Sequence, residues 1–264
     1  MGNLRKYGHP PFTVAIVHGG PGAPGDVSGI ARELSSVTGV LEPLQTEAAI
    51  QEEVEELRAT LENNGSLPLT LIGFSWGAWL SCILAAFHPQ YVKKLILISS
   101  GPFEEKYAAS IMETRLRRIQ GEERKEAELL YEVLSNAGSS DNDILARFGQ
   151  LMFKADSYDP LPNEIQPLQV NLGIYRSIWD EATQLRNSGQ LLELAGRVKC
   201  PVVAIHGDYD PHPAEGVRSP LSRATHDFRF VLLEKCGHYP WRERNARDMF
   251  YRLLRVEISG PALK

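Results

Sequence analysis

Gly73-Phe74-Ser75-Trp76-Gly77 is the most constraining stretch of this sequence, because it joins two different periodicities within five residues. The apolar run Leu67 to Phe74 reads as a buried strand, and Trp76 to Phe87 reads as a helix. A serine on so tight a strand-to-helix turn is held in strained backbone and projects its hydroxyl beyond the end of the strand. The flanking glycines leave room where a Cβ would meet neighbouring elements. With 22 glycines in the chain, such a pentad arises by composition alone in about one chain in ten. Its weight therefore rests on what surrounds it.

What surrounds it is an α/β alternation. Phe12 to Val17 is a β-branched run that enters the glycine-rich loop His18-Gly19-Gly20-Pro21-Gly22. A helix is expected near Val27 to Ser36, capped by Asp26, then a strand over Val40 to Leu44, then a long acidic helix capped by Thr46 and ended by Asn64-Gly65. Leu95 to Ser99 is the next strand. Short apolar runs separated by helices predict βαβ units and a mostly parallel sheet. From residue 102 to residue 196 the pattern changes to charged amphipathic stretches such as Glu104 to Gln120 and Glu122 to Leu134, which predicts a helical insertion. Cys200 to Ile205 and Phe228 to Leu233 restore the strand pattern, and Arg242 to Val256 closes as a helix. The expected organisation is one α/β core from residues 1–101 and 197–264, interrupted by a helical cap over 102–196.

Composition excludes several classes. A net charge of -5, with 28 basic and 33 acidic residues, offers no basic face for phosphates, so nucleic acid is not an expected partner. No charge-free apolar run approaches the length that spans a bilayer, and Met1 to Phe12 has no apolar core of an export signal, so the expectation is a cytoplasmic protein without membrane association. Cys82, Cys200 and Cys236 have no metal-type spacing and are odd in number, which speaks for buried thiols. No cofactor or metal is implied.

Three further segments give the Ser75 turn a chemistry. The His18 to Gly22 loop follows an early strand, where a backbone N–H can face a developing oxyanion; Gly20 and Trp76, the residue after the serine, are the expected donors. His18 is expected to shape the loop. Asp208 and Asp210 both lie past the strand that ends at Ile205, and either could orient a histidine; Asp210 is favoured because Pro211 makes a rigid turn after it. His238, in Cys236-Gly237-His238-Tyr239-Pro240-Trp241, follows the last strand and completes the chain order Ser, Asp, His. His9, His88, His206, His212 and His226 are read as structural or solvated.

At these residues the chain resembles the α/β-hydrolase superfamily, over residues 12–101 and 198–256. The His18 to Gly22 run and Ser75-Trp76-Gly77 are similar to the proline iminopeptidase group of serine peptidases. That resemblance implies an α/β-hydrolase fold and a serine hydrolase with Ser75 as nucleophile, Asp210 and His238 as its partners, and Gly20 and Trp76 as oxyanion donors. Two departures stand out. The residues before Phe12 leave no room for that group's N-terminal β-hairpin, and the insertion is short. Acidic insertion residues Glu104, Glu105, Asp180 and Glu181 are candidates for recognising a substrate amine, and Tyr107, Phe148, Phe153, Tyr158, Tyr175 and Trp179 for lining a pocket, with Phe153, Tyr175 and Trp179 put forward as substrate-binding. The expected partner is a small molecule or short peptide whose ester or amide is cleaved, the sharpest version being an aminopeptidase. A carboxylesterase or thioesterase is the alternative, and a non-catalytic binding protein is the alternative of another class.

Overall fold

The computed structural model describes residues 3–135, 141–162 and 170–259. Seven strands form one sheet in the order β1-β3-β2-β4-β5-β6-β7. They are β1 Leu4–Tyr7, β2 Phe12–Val17, β3 Gly39–Pro43, β4 Leu69–Phe74, β5 Val92–Ile98, β6 Val202–Gly207 and β7 Phe228–Leu233. Every neighbouring pair is parallel except β1 with β3, where Leu4 opposes Pro43 and Tyr7 opposes Val40. The sequence pattern predicts no strand before Phe12; β1 forms there on a sheet edge with Leu4 and Tyr7 partly buried and the adjacent Arg5 and Lys6 both exposed, so no alternation marks it.

The near-continuous apolar runs follow from burial on both faces. Ala15, Val17, Leu69, Leu71, Leu95, Leu97, Val202 and Ala204 share one cluster with the helices α2 Ile50–Asn64, α3 Trp76–Phe87, α8 Gln190–Arg197 and α9 Glu215–Ala224. Their neighbours Val14, Ile16, Ile72, Ile96, Ile98, Val203 and Ile205 face α1 Ser28–Leu34 and α10 Arg247–Ser259 on the other side. The last helix starts five residues later than the apolar pattern suggests, because Pro240–Arg242 first forms a separate 3₁₀ turn.

Both side-chain caps expected from sequence are replaced. Helix α1 is preceded by Val27 with no side-chain cap bond, and Asp26 turns inward. Helix α2 begins at Ile50; Thr46 bonds Glu56, and the Ile50 N–H is taken by the Glu181 carboxylate at 3.0 Å, reaching across from another helix. A tertiary acceptor satisfies the orphan donor that a local cap would otherwise serve.

Between β5 and β6 run α4 Ile111–Arg118, α5 Gly121–Ser135, α6 Asn142–Asp156, α7 Leu172–Asn187 and α8. Ile119, Ala127, Leu134, Leu145, Phe148, Leu151, Met152, Ala155 and Leu172 form a cluster of their own. Ile178 and Ala182 of α7, together with Leu191, Leu194 and Ala195 of α8, instead belong to the same cluster as β4 and α3. This helical stretch is thus anchored in the sheet core at its carboxyl end.

The strand order reverses between β2 and β4. In open parallel sheets the crevice at such a point, beyond the carboxyl ends of the strands, is where ligands lie.

Candidate active site

Ser75 follows β4 directly, with φ 52 and ψ -116, a conformation that costs a non-glycine residue of order 1–3 kcal/mol. Its N–H donates to Ile98 O at 2.9 Å, and its carbonyl starts the helix by accepting from Ala78 at 3.1 Å. The flanking glycines have the expected steric reason. A Cβ on Gly73 would lie 2.2 Å from Gly77 O, and one on Gly77 would lie 2.4 Å from His18 O. The end of β2 and the first turn of α3 can touch only because Gly77 carries no side chain, and that contact brings the His18 to Gly22 loop beside Ser75.

His18 shapes that loop. Its Nδ1–H donates to Gly19 O at 2.8 Å and its Nε2 accepts the Gln45 N–H at 3.1 Å, which fixes the tautomer. Burial pushes its pKa down to about 4, so the ring is neutral. Gly20 turns at φ 55, a region open to glycine, and lines the cavity with Ser75. Trp76 occupies the first position of α3, where an N–H has no partner within the helix. Its indole is buried and directed away, donating to Gln45 at 2.9 Å and Glu53 at 3.3 Å.

Of the two candidate carboxylates, Asp210 is the one that meets the histidine. His238 Nδ1–H donates to Asp210 Oδ2 at 2.7 Å, with both groups buried. Asp208 instead accepts the Cys236 N–H at 3.0 Å and ties the β6 and β7 loops together. Asp210 Oδ1 accepts both the N–H and the Nδ1–H of His212, at 2.9 and 2.8 Å. Burial alone would raise the Asp210 pKa, but His238, His206 and His212 outweigh it and hold the carboxyl well below the usual range. With Nδ1–H spent on Asp210, the His238 Nε2 lone pair is free. Ser75 and His238 line one cavity of about 800 Å³.

His212, read from sequence as structural or solvated, is a buried hydrogen-bond partner of Asp210, its ring 4.6 Å from that of His238, and burial pushes its pKa down to about 4. The D-x-H spacing was the only signal for it. Among the described residues, Asp210, His212 and His238 also have the side-chain types of a metal site, with ligand atoms within 4.8 Å of one another. Both Nδ1–H groups point at the Asp210 oxygens, so protons already fill the place a cation would take.

The His238 loop is stitched to the helical stretch. The His238 N–H donates to Asp156 O at 2.8 Å. Buried Glu243 accepts the N–H groups of Gly237, Tyr158 and Asp159 at 2.9, 2.7 and 2.8 Å. Phe148, Phe153, Tyr175 and Trp179 all line the cavity, whereas Tyr107 and Tyr158 do not. None of Glu104, Glu105, Asp180 and Glu181 reaches it: Glu105 pairs with Arg186, Glu104 with Arg223 and Lys106, and Glu181 holds the start of α2. Among the described residues, the acidic ones that do line it are Asp26 and Asp156, accompanied by Arg32, Arg115 and Arg242, none of which sequence reasoning placed at the site.

The fold-family model described as "alpha/beta hydrolase fold" matches residues 43–241, about three quarters of the chain. The chain belongs to the α/β-hydrolase fold family. Solved structures agree on the architecture of this α/β hydrolase. VinJ superposes with a TM-score of 0.70 at 16% identity, over 97% of this chain and 94% of that one. E-2-(acetamidomethylene)succinate hydrolase gives 0.64 at 18% identity over 97% and 94%. An esterase from Thermogutta terrifontis gives 0.63 at 16% identity over 97% and 92%. At such identities these likenesses speak for the fold alone. Compared by sequence with curated proteins, the chain matches none. Among the described residues, no helix is long and apolar enough to cross a membrane.

Proposed function

We propose that this α/β hydrolase is a serine esterase that cleaves a small ester through an acyl-enzyme on Ser75. The observation that carries the reading is the strained Ser75 turn sharing a cavity with His238, whose Nδ1–H is fixed on the ionised Asp210. His238 Nε2 takes the Ser75 hydroxyl proton as Oγ attacks the ester carbonyl. The Gly20 and Trp76 N–H groups hold the resulting oxyanion, each such donor being worth roughly 10² to 10³ in rate. His238 then protonates the leaving alkoxide, and water, deprotonated by the same nitrogen, releases the acid. Helices α4 to α7 act as the cap over residues 102–196, and Phe153, Tyr175 and Trp179 contact the substrate.

The charge of the cavity weighs for an ester and against the aminopeptidase version. Capture of a protonated amine needs an unpaired carboxylate. Asp156 is held bidentately by Arg115 at 2.8 and 2.7 Å, and burial raises Asp26 to about 7, which leaves it half neutral at physiological pH. The names borne by similar structures, a hydrolase and an esterase among them, are in keeping with this.

Labelling with a serine-directed fluorophosphonate, together with turnover of short p-nitrophenyl esters and of proline p-nitroanilide, tests the proposal. The expected result is a label on Ser75, ester turnover well above anilide turnover, and a loss of several orders of magnitude in Ser75→Ala with the fold retained. An unlabelled Ser75, or a Ser75→Ala variant as active as the parent, ends it.

A further inference from the structure

Two partly buried arginines along the cavity wall, Arg115 and Arg242, are satisfied very differently. Arg115 spends Nε and a terminal nitrogen on the two oxygens of Asp156, at 2.8 and 2.7 Å. Burial disfavours its charge, but Asp156 more than offsets that, so this pair is internally neutral. Arg242 makes no ion pair among the described residues, and its Nε is buried without a protein acceptor. A guanidinium in that position forgoes a hydrogen bond that a carboxylate oxygen would supply.

Arg242 is also held in place. Its N–H donates to Tyr239 O at 2.8 Å and its carbonyl accepts from Leu161 at 2.7 Å, so its backbone is fixed between the His238 loop and the helical stretch. Its guanidinium carbon lies 5.3 Å from the centre of the Phe153 ring, which supports the plane from one side. Its charge also acts on Asp26, which lines the same cavity, forms no ion pair with it, keeps a buried Oδ1 without a protein partner, and is driven towards neutrality by burial. Arg32 stands exposed at the same cavity and adds a second positive charge.

We infer that the natural substrate of this site carries a carboxylate besides the ester that is cleaved, and that Arg242 is the residue that binds it. A carboxylate matches the planar fork of the guanidinium and would also accept a hydrogen bond from a neutral Asp26 carboxyl. A substrate amine would meet Arg242 and Arg32 instead, and would be repelled. The inference rests on the esterase reading above and names the class of ester within it: half-esters of dicarboxylic acids, or esters of comparable anionic acids.

The test compares mono-p-nitrophenyl adipate with p-nitrophenyl hexanoate, which differ by one terminal carboxylate. The full chain should favour the adipate ester at least tenfold in kcat/KM. Arg242→Gln should bring that ratio close to one or below, and Arg242→Lys, which keeps the charge but not the fork, should keep part of it. Adipate itself should bind Ser75→Ala in calorimetry and bind at least ten times more weakly when Arg242→Gln is added. A parent enzyme that favours the neutral hexanoate, a ratio untouched by Arg242→Gln, or no adipate binding by Ser75→Ala each overturns the inference while hexanoate turnover and the Ser75 label leave the esterase reading intact. If neither ester is turned over and Ser75 takes no label, the esterase reading falls, and adipate binding alone then decides the role of Arg242. Should Arg242→Gln not fold, the adipate preference of the parent and its retention in Arg242→Lys carry the same decision.

Discussion

The two walls of the cavity are built in opposite ways. On the sheet side, Gly20, Ser75 and His238 each follow a strand end, and backbone contacts fix them: Gly77 against the end of β2, Ser75 N–H on Ile98, His212 N–H on the carboxylate that orients His238. On the helical side, Phe153, Tyr175 and Trp179 are placed by side-chain packing, and Arg115 and Asp156 meet only across helices. Backbone-fixed groups do not shift when a neighbour changes by a methylene, whereas packed ones do. On the proposed esterase reading, the sheet side is therefore suited to the bond-breaking step and the helical side to choosing the acyl group.

That contrast yields predictions of decreasing size. Asp210→Asn should lower kcat by roughly 10³ to 10⁴ on acetate and hexanoate esters alike, since it disturbs the His238 tautomer and not the pocket. Asp208→Asn should cost less than tenfold, because the asparagine carbonyl can still accept the Cys236 N–H. Equal losses in the two variants, or a loss that depends on acyl length, would erase the division between walls. Phe153→Ala should change the hexanoate-to-acetate ratio of kcat/KM by about tenfold, the scale of lost apolar contact in a pocket; an identical loss on both esters would place Phe153 on the catalytic side of the division.

The smallest effect concerns Glu53, behind the sheet-side wall, where it accepts from the Trp76 indole and keeps one oxygen without a protein partner. Burial raises its pKa from 4.5 to about 8, the indole hydrogen bond opposing this less strongly. Because the folded-state value is the higher one, its contribution is complete below pH 4.5 and is lost as pH rises through 8. Glu53→Gln should thus stabilise the protein at pH 9 by up to a few kcal/mol, which is several degrees in Tm, and change it little at pH 5. A thermal shift of the same size at both pH values would remove the ionisation from the explanation.

Much of the sheet-side wall was legible in the sequence because its signals are local. The Ser75 turn is written in five consecutive residues, and the loops that carry Gly20, Asp210 and His238 each follow a short strand-like apolar run. His212 lay in plain view two residues from Asp210, yet its partner is set by the course of a loop, and no periodicity marks that. Asp26 and Thr46 carried a sound local signal for helix caps, and lost it to partners from elsewhere in the chain: Asp26 turns into the cavity, and Thr46 binds Glu56 while Glu181 serves α2. The short edge strand β1 was missed because its four residues place two adjacent charged side chains, Arg5 and Lys6, in the open between partly buried Leu4 and Tyr7, which leaves no alternation to read.

The sequence by itself determined the α/β alternation, the helical insertion and the turn that exposes Ser75, since each follows from periodicity, glycine sterics and strand-end loops within a few residues. Only the tertiary structure decided that Asp210 and not Asp208 meets His238, that Asp156 is spent on Arg115, and that Arg242 lines the cavity without an ion pair among the described residues. Those outcomes are set by which charged groups come within hydrogen-bonding distance after packing, and residues 26, 115, 156 and 242 have no relation along the chain that would announce it.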